Sequence, residues 1–315
     1  MRVLVTGGAG FIGSNLADAF LARGDDVRVL DDLSTGFIEN VPERAELIEG
    51  GVADRASVAK AVDGVDLVIH LAAHRAVLRS VEDPLSTDTA NTHGTLTVLK
   101  SAVDAGVRRV VYASSSSVYG LDPPMPTPET APTRPISPYG VSKLAGEHYT
   151  RVFAHLYGLQ TLSFRYFNVF GPRQRPDSAY AAVIPLFIEA LREGAAPVVH
   201  GDGGQSRAFT YIDDVLAANL AAAAAPASAC AGQVYNVASG ETHTLLELLD
   251  ALGRILGVTP RPRHVDPRPG DIRNSRADIS AARANLGYEP RTCFDDGLRQ
   301  AVAWFVNREQ AAAAD

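Results

Sequence analysis

The sequence predicts an α/β fold, a doubly wound parallel sheet with a smaller C-terminal α/β region. Two observations support this. Short apolar runs rich in β-branched residues lie at 3–5, 27–30, 66–71, 109–114 and 161–165, with helical stretches between them. Continuous apolar strands joined by helices indicate a parallel sheet covered on both faces. A glycine-rich turn also follows the first run directly, at the edge where such sheets bind ligands.

Beyond residue 166 the pattern becomes irregular. Proline and glycine clusters such as "FGPRQRP" and "HGDGGQSR" separate helices predicted near 180–193, 213–222, 244–256 and 295–307. Loops of this kind suit a region that covers a ligand. We therefore predict a cofactor-binding sheet domain over residues 1–166 and a mainly substrate-binding region over 167–315, with some segments returning to the sheet.

Composition excludes several classes of function. The chain has 315 residues, of which 46% are hydrophobic, and a net charge of -7. Such a chain can bury a substantial core, and an acidic balance without a basic run disfavours a nucleic-acid partner. No apolar stretch approaches the roughly 20 residues that span a membrane. We therefore expect a soluble cytoplasmic protein with no membrane partner.

The two cysteines, Cys230 and Cys293, lie far apart and belong to no Cys/His cluster. Their spacing predicts neither a disulfide framework nor a zinc site. We interpret them as incidental thiols of a reducing compartment and expect no metal.

A glycine trio follows the first predicted strand. Gly7, Gly10 and Gly13 open the next helix in "VTGGAGFIG". Glycine there permits a tight turn, close approach of the backbone to a pyrophosphate, and helix amides directed at its charge. The order of strand, turn and helix favours a Rossmann dinucleotide site over a glycine turn without a ligand.

Asp31 ends the second predicted strand in "VLDDLSTG". A carboxylate at this place accepts hydrogen bonds from ribose hydroxyls and repels the 2′-phosphate of NADP. We therefore predict NAD as the cofactor, and we interpret the adjacent Asp32 as a solvated turn residue.

Tyr139 and Lys143 stand four residues apart in "SPYGVSKLAGEHY", a predicted helix. At this spacing they share a helix face, where the ammonium group lowers the pKa of the phenol and makes it a proton acceptor. Elsewhere such a pair is commonly a packed ring beside a solvated lysine. The serine run of "YASSSSVYG" favours catalysis, because it follows a strand and so lies at the ligand-binding edge of the sheet.

Together the motifs resemble the extended short-chain dehydrogenase/reductases, and within them the NAD-dependent nucleotide-sugar (UDP-hexose) 4-epimerases. The resemblance covers nearly the whole chain, through "TGGAGFIG", "HLAA", "YASSSSVYG", "SPYGVSK", "FRYFNVFGP", "SRAFTYIDDV" and "RPGDIRNSRADIS". It implies that Tyr139, assisted by Ser115, removes the 4-hydroxyl proton of a UDP-sugar while the C4 hydride passes to tightly bound NAD. The 4-keto intermediate then swings about its phosphate linkage and presents its other face to the cofactor. It takes the hydride back on that face, which inverts C4.

The resemblance also assigns site residues. The implied catalytic residues are Ser115, Tyr139 and Lys143. The implied cofactor site comprises Gly7, Gly10, Phe11, Ile12, Gly13, Asp31, Val52, Leu71, Ala72, Ala73, Asn91, Tyr139 and Lys143. The implied substrate site comprises Ser115, Ser116, Tyr139, Asn168, Arg207, Arg268, Asp271 and Ser275. A homodimer formed through predicted helices at 88–105 and 138–157 is expected on the same basis.

Two departures from the family pattern matter. Gly51 stands where an aspartate often contacts adenine, which leaves that contact to the Val52 backbone or another group. Serines fill the stretch before "VYG", where related 4,6-dehydratases carry an Asp-Glu pair and decarboxylases usually a glutamate. Dehydration and decarboxylation are therefore disfavoured, because no carboxyl group is at hand as the extra acid.

The sugar stays open. The resemblance places Ser275 where the family has a side chain beside the 2-substituent of the sugar, and a small serine there implies room for an N-acetyl group, so UDP-glucose and UDP-N-acetylglucosamine both remain compatible. Arg75, Arg79 or Arg175 would suit the carboxylate of UDP-glucuronate, although glucuronate 4-epimerases generally carry threonine where Asn168 stands. Two further alternatives are a reductase that consumes free NADH and a non-catalytic NAD-binding regulator. The tyrosine–lysine pair disfavours the regulator, although a fold alone does not fix function.

Overall fold

A seven-stranded parallel sheet forms the centre of the protein. The computed structural model describes residues 1–75, 77–176, 182–267 and 272–312, with side chains through residue 307. The strands are β1 (Arg2–Thr6), β2 (Asp26–Asp31), β3 (Glu46–Glu49), β4 (Leu67–His70), β5 (Arg109–Ser115), β6 (Gln160–Tyr166), β7 (Val169–Phe170), β8 (Val198–His200), β9 (Ser206–Arg207), β10 (Thr210–Tyr211), β11 (Ala231–Val237), β12 (His243–Thr244) and β13 (Arg263–Val265). The order across the sheet is β11-β6-β5-β4-β1-β2-β3.

Helices connect and cover these strands. They are α1 (Phe11–Ala22), α2 (Arg55–Val62), α3 (Val77–Glu82), α4 (Pro84–Asp88), α5 (Gly94–Asp104), α6 (Pro138–Tyr157), α7 (Val183–Arg192), α8 (Ile212–Ala224), α9 (Leu245–Leu256), α10 (Ser280–Leu286) and α11 (Phe294–Ala312). Short 3-10 turns lie at Ile38–Asn40, Ser116–Val118 and Ala227–Cys230, and a π-helical turn at Thr89–His93 precedes α5. Among the described residues, no helix is long and apolar enough to cross a membrane.

Burial on both faces explains why the strands are continuously apolar. Along β1, Val3 and Val5 enter one hydrophobic cluster, whereas Leu4 between them enters a second cluster on the opposite face. Successive side chains of a strand point to opposite faces, so each face of the sheet has its own core. The predicted doubly wound parallel fold is confirmed.

Two sheet strands were absent from the predicted apolar runs. β3 has glutamate at both ends, and only Ile48 among its four residues is buried. β11 comes from the second half of the chain and pairs in parallel with β6, with Tyr235 opposite Phe164. The sheet is therefore completed by a late segment.

The order of the strands reverses at β1, and this reversal determines where the sheet can bind a ligand. β1 pairs with β2 on one side and with β4 on the other. The crossovers that leave these strands therefore diverge to opposite sides, which opens a crevice at their carboxyl ends. Beyond β6, the pairs β7–β10, β8–β13 and β9–β12 form three small two-stranded sheets.

Candidate active site

A cavity of about 310 Å³, the first cavity, lies where β1, β2, β4 and β5 end. Strands from both sides of the switch point contribute to it, as a doubly wound sheet requires. It brings together many of the predicted site residues. These are Gly7, Gly10, Phe11, Ile12, Gly13, Asp31, Val52, Leu71, Ala72, Ala73, Ser115, Tyr139, Lys143 and Asn168.

The glycine turn has no room for side chains. Gly7 has φ +73°, and a Cβ added there would lie 2.8 Å from the Ala72 amide nitrogen. A Cβ on Gly13 would lie 2.1 Å from the Gly7 carbonyl oxygen. Helix α1 begins directly after Gly10, and no side chain caps its N-terminus. Its first amides are therefore available to an anion.

Asp31 lines the same cavity at the end of β2. Its Oδ2 accepts a hydrogen bond of 2.9 Å from the Ala9 amide, and its Oδ1 accepts one of 2.9 Å from the Leu33 amide. Burial raises the pKa of this carboxyl group, and the two amides oppose the shift. The carboxylate is thus fixed where a ribose diol would meet it. The turn, the uncapped helix and Asp31 together fit a dinucleotide with an unmodified ribose.

Asn91 lies behind the first cavity and supports its wall. It is 1% exposed in the π-helical turn. Its Oδ1 accepts from the His74 amide at 2.7 Å, and its Nδ2 donates to the His74 carbonyl and to Ser142 Oγ at 3.1 and 2.9 Å. It therefore holds the loop after β4 to α6, whereas the sequence predicted contact with the cofactor.

The start of α6 fixes Tyr139. Ser137 caps the helix by accepting from the Gly140 amide at 3.1 Å, and the Tyr139 amide donates to Ser80 Oγ at 3.1 Å. At the end of β5, the Ser115 hydroxyl donates to Ser117 Oγ at 3.1 Å, and the same side chain lowers the pKa of the Tyr139 phenol. Ser116 opens the 3-10 turn after β5 and does not line the first cavity.

The electrostatics of the pair differ from the sequence expectation. Burial raises the pKa of Tyr139, while Ser115 and Arg75 oppose that shift. Lys143 Nζ donates to the Ala113 carbonyl at 2.9 Å and lies 5.9 Å from the centroid of the phenol ring. Burial also lowers the pKa of Lys143 to about 7. The two residues lie one helical turn apart as predicted. In the protein without cofactor, however, Lys143 binds the Ala113 carbonyl, whereas Ser115 and Arg75 affect the pKa of Tyr139.

A buried ion pair secures β6 against α6, and one of its members also binds β5. Glu147 lies one helical turn beyond Lys143 and accepts from Arg165 Nη2 at 2.7 Å. Both side chains are about 5% exposed or less. Glu147 also accepts from the Ser114 hydroxyl at 2.5 Å. Since Ser114 precedes Ser115, this contact holds the serine strand against the helix that carries Tyr139.

A second cavity of about 410 Å³ adjoins the first, and Asn168 lines both. Asn168 has φ +35°, a conformation that costs energy for a residue with a side chain. Arg207 lines the second cavity and donates to the Ser206 carbonyl at 2.9 Å. The predicted substrate residues Asn168 and Arg207 are therefore brought together.

Three further predicted substrate residues are not among the described residues that line the two cavities. Ser275 is half-buried and lines neither cavity. Arg268 and Asp271 lie outside the described residues.

Sequence reasoning missed the loop after β7. Arg173, to which the sequence analysis assigned no role, lines the first cavity with Gln174 and Arg175. The cluster "FGPRQRP" predicted a loop and one candidate cation, Arg175, but not the contacts of this loop, which are with α1 and the segment after β2. Only the tertiary fold brings these segments together.

Proteins that join a glycine turn after β1 to a tyrosine, lysine and serine at the same edge of a doubly wound sheet are short-chain dehydrogenase/reductases, and this chain has that site. More narrowly, the chain belongs to the NAD dependent epimerase/dehydratase family, which it matches over residues 3–238. The predicted family and NAD as its cofactor are thereby confirmed.

Individual relatives match the chain over nearly its whole length. A UDP-glucose 4-epimerase of Mycolicibacterium smegmatis is 39% identical over 98% of this chain and 100% of its own. The crystal structure of UDP-glucose 4-epimerase with UDP-glucose from Thermotoga maritima has a TM-score of 0.94 and 36% identity, covering 98% of this chain and 100% of that one. A UDP-N-acetylglucosamine 4-epimerase from Methanobrevibacter ruminantium, in complex with UDP-N-acetylmuramic acid, has a TM-score of 0.92 and 38% identity, covering 98% of each chain.

Metal ligands are not clustered in the described ranges. No group of three or more His, Cys, Asp or Glu side chains there could hold a metal ion.

Proposed function

We propose that the protein is a UDP-sugar 4-epimerase that inverts C4 of a UDP-hexose through a 4-keto intermediate and keeps its NAD bound. The substrates are UDP-glucose and UDP-galactose, with the N-acetylated pair also compatible. The observation that carries the proposal is the chemistry around Tyr139. Among the described residues, the carboxylates that line the first cavity are Asp31, at the end of β2, and Asp32, directly after it, and β2 lies three strands from β5. At about 4.8 Å per strand they are too far away to protonate a leaving hydroxyl group beside Tyr139.

The side chains that remain at this end serve proton transfer. Ser115 and Tyr139 line the first cavity together, so a substrate hydroxyl group held between them can pass its proton to the phenolate and later recover it. Bound NAD supplies the acceptor and donor for the hydride at C4. The protein needs no net proton source, because the proton that Tyr139 takes is the proton that it returns.

The other cavity residues hold the cofactor in place for this step. Lys143 Nζ lies in the wall between β5 and α6, where an ammonium group can donate to a ribose hydroxyl. Asp31 holds the ribose at the adenine end, and the amides at the start of α1 hold the pyrophosphate.

We assign the nucleotide of the substrate to the second cavity. The guanidinium of Arg207 suits diphosphate oxygens. Phe187, Phe209 and Leu245 line the same cavity and offer apolar walls for a pyrimidine base. Asn168 lies at the junction of the two cavities, so the sugar of a nucleotide bound here reaches Tyr139.

UDP-glucuronate is a second candidate substrate, favoured by the position of Arg75. Arg75 lines the first cavity, and its positive charge lowers the pKa of the Tyr139 phenol. A guanidinium at this end of the cavity suits a sugar carboxylate.

We also propose that the protein is a homodimer formed through the exposed face of α6 and its neighbours. Val141, Val152 and Leu156 of α6 are 55%, 45% and 65% exposed, and Leu85 of α4 is 79% exposed. A shallow groove contains Leu85, Ile136 and Val141. Exposed apolar patches of this kind mark association surfaces, and a second copy would cover the helix that carries Tyr139. Light scattering of Leu85→Lys should show a monomer.

The proposed function is tested by incubating the purified protein with UDP-glucose, UDP-N-acetylglucosamine or UDP-glucuronate without added cofactor. Proton NMR of the anomeric signals should show conversion of at least one of them to its 4-epimer. Net formation of NADH, or no conversion even with NAD supplied, would contradict the proposal.

A further inference from the structure

Residues 171–175, "GPRQR", form a segment that we call the strap. It leaves β7 on the side of Asn168 and contributes Arg173, Gln174 and Arg175 to the wall of the first cavity. Its turn is closed by the Gln174 amide, which donates to the Gly171 carbonyl at 3.3 Å. The strap is therefore an ordered part of the cavity wall.

Two contacts tie the strap to helix α1. Asn15 Nδ2 donates to the Pro172 carbonyl at 3.2 Å, and Arg173 Nη2 pairs with Asp18 Oδ2 at 2.7 Å. Helix α1 is the helix whose uncapped N-terminus borders the first cavity. Arg173 is thus held on the element expected to face the pyrophosphate.

A third contact extends the strap to the segment after β2. The Arg175 guanidinium carbon lies 3.7 Å from the centroid of the Phe37 ring, and Nη1 lies 3.8 Å from Glu39. Phe37 lines the first cavity near the end of β2. The strap consequently joins the Asn168 side of the cavity to the Asp31 side.

Arg173 carries an unused donor. Its Nη1 is buried and has no hydrogen-bond partner within the part of the chain that the structure describes. A buried charged donor without a partner is costly, and the Arg173 backbone adds cost with φ +70°. Strain and an unsatisfied cation in one cavity-lining residue indicate a ligand that is an anion.

We propose that Arg173 Nη1 donates to the pyrophosphate of the bound dinucleotide, and that the strap thereby retains the cofactor. The inference rests on the proposed function only for the reason why the cofactor must be retained. A reaction that reduces and reoxidises its cofactor within one turnover needs the dinucleotide to stay bound throughout. Arg173, anchored by Asp18, supplies a charge-assisted hydrogen bond for that purpose.

The test measures how fast NAD leaves the protein. Purified holoenzyme is chased with isotopically labelled NAD, and the released cofactor is quantified by mass spectrometry. Arg173→Gln should accelerate release about tenfold, the effect of losing one charge-assisted hydrogen bond. Asp18→Asn, at a residue whose side chain is 47% exposed, should accelerate release less, because it loosens Arg173 without removing its charge.

Arg23→Gln is the matched control. Arg23 forms a 2.6 Å ion pair with Asp25 at the other end of α1 and does not line the first cavity. It should release NAD at the wild-type rate. In equilibrium binding, Arg173→Gln should weaken ADP-ribose and leave adenosine unchanged, because adenosine has no pyrophosphate.

The outcomes separate the strap from the proposed function. Equal rates of NAD release from Arg173→Gln and Arg23→Gln, in a protein that is an active epimerase, would show that the strap does not retain the cofactor. Equal weakening of adenosine and ADP-ribose would also overturn it, since the effect would not involve the pyrophosphate. Faster release from Arg173→Gln in a protein without epimerase activity would support the strap and reject the proposed reaction.

Discussion

Ser115 lies beside Tyr139 where the carboxyl end of β5 meets the first turn of α6, and its side chain lowers the pKa of the phenol against the effect of burial. The two residues are 24 positions apart in the sequence. Their meeting depends on the Ser137 cap that starts α6 and on Glu147, which binds the neighbouring Ser114. A proton can therefore be exchanged at a fixed point of the first cavity.

Tyr139→Phe should lower kcat by about 10²–10⁴-fold, the usual contribution of a positioned acid or base. The ring remains to pack, so the NAD content should not change. Turnover is measured by NMR on UDP-glucose, and NAD is measured after heat release. Near-normal turnover with NAD retained would show that another group accepts the proton.

Arg75→Met should move the pH dependence of kcat to higher pH. Arg75 lowers the pKa of Tyr139, so its removal raises that pKa and fewer phenolates are present at a given pH. The profile is recorded with UDP-glucose, which has no carboxylate. Arg79→Met is the control, since Arg79 contacts His74 at 3.5 Å and does not line the first cavity. Superimposable profiles for the two variants would reject electrostatic control by Arg75.

Lys143→Met should change how stability depends on pH. In the folded protein the pKa of Lys143 is lowered to about 7 from an ordinary value of 10.5. Between these values the unfolded chain binds more protons, so the free energy of unfolding of the wild type rises with pH. The slope from this group is at most about 1.4 kcal/mol per pH unit, and the variant should lose it.

Urea unfolding of cofactor-free protein from pH 7 to pH 10 measures this slope. Lys100→Met is the control, because Lys100 is 48% exposed on α5. A slope that Lys143→Met does not reduce would show that Lys143 is charged in the folded protein throughout this range.

Glu147→Ala should reduce the free energy of unfolding by about 3–5 kcal/mol, because it leaves the buried Arg165 charge unpaired. Asp104→Ala removes an ion pair with Lys100 in which both partners are about half exposed, and it should cost at most about 1 kcal/mol. Urea titrations of both variants provide the comparison. Similar losses would mean that the Glu147 pair contributes no more than a surface pair.

The sequence predicted the sheet and the cofactor end of the site because these are encoded locally. Gly7, Gly10 and Asp31 are recognisable in the sequence because each stands at or just after the end of a strand. All three line the first cavity. β3 was missed because only Ile48 in it is buried. Asn91 was predicted to contact the cofactor, whereas its hydrogen bonds to His74 and Ser142 make it a support of the cavity wall.

Long-range contacts were not readable from the sequence. Burial raises the pKa of Tyr139, whereas Ser115 and Arg75, which lie 24 and 64 positions earlier in the chain, lower it. The role that we propose for Arg173 depends on Asp18, which lies in the first helix. A local pattern gives the type of residue at a site, whereas its charge state is set by the tertiary neighbours.

Asp31→Asn should weaken NAD binding and improve NADP binding, so that the ratio of the two dissociation constants falls by about tenfold or more. The carboxylate is fixed by the Ala9 and Leu33 amides, and its charge is what opposes a 2′-phosphate. Asp32→Asn is a closely matched control: Asp32 also lines the first cavity, but its Oδ1 accepts from the Ser34 amide at 3.0 Å in an exposed turn. Fluorescence titration of both cofactors should give the wild-type ratio for Asp32→Asn. If the two variants shifted the ratio equally, selectivity would arise from the summed charge of the loop after β2 rather than from Asp31.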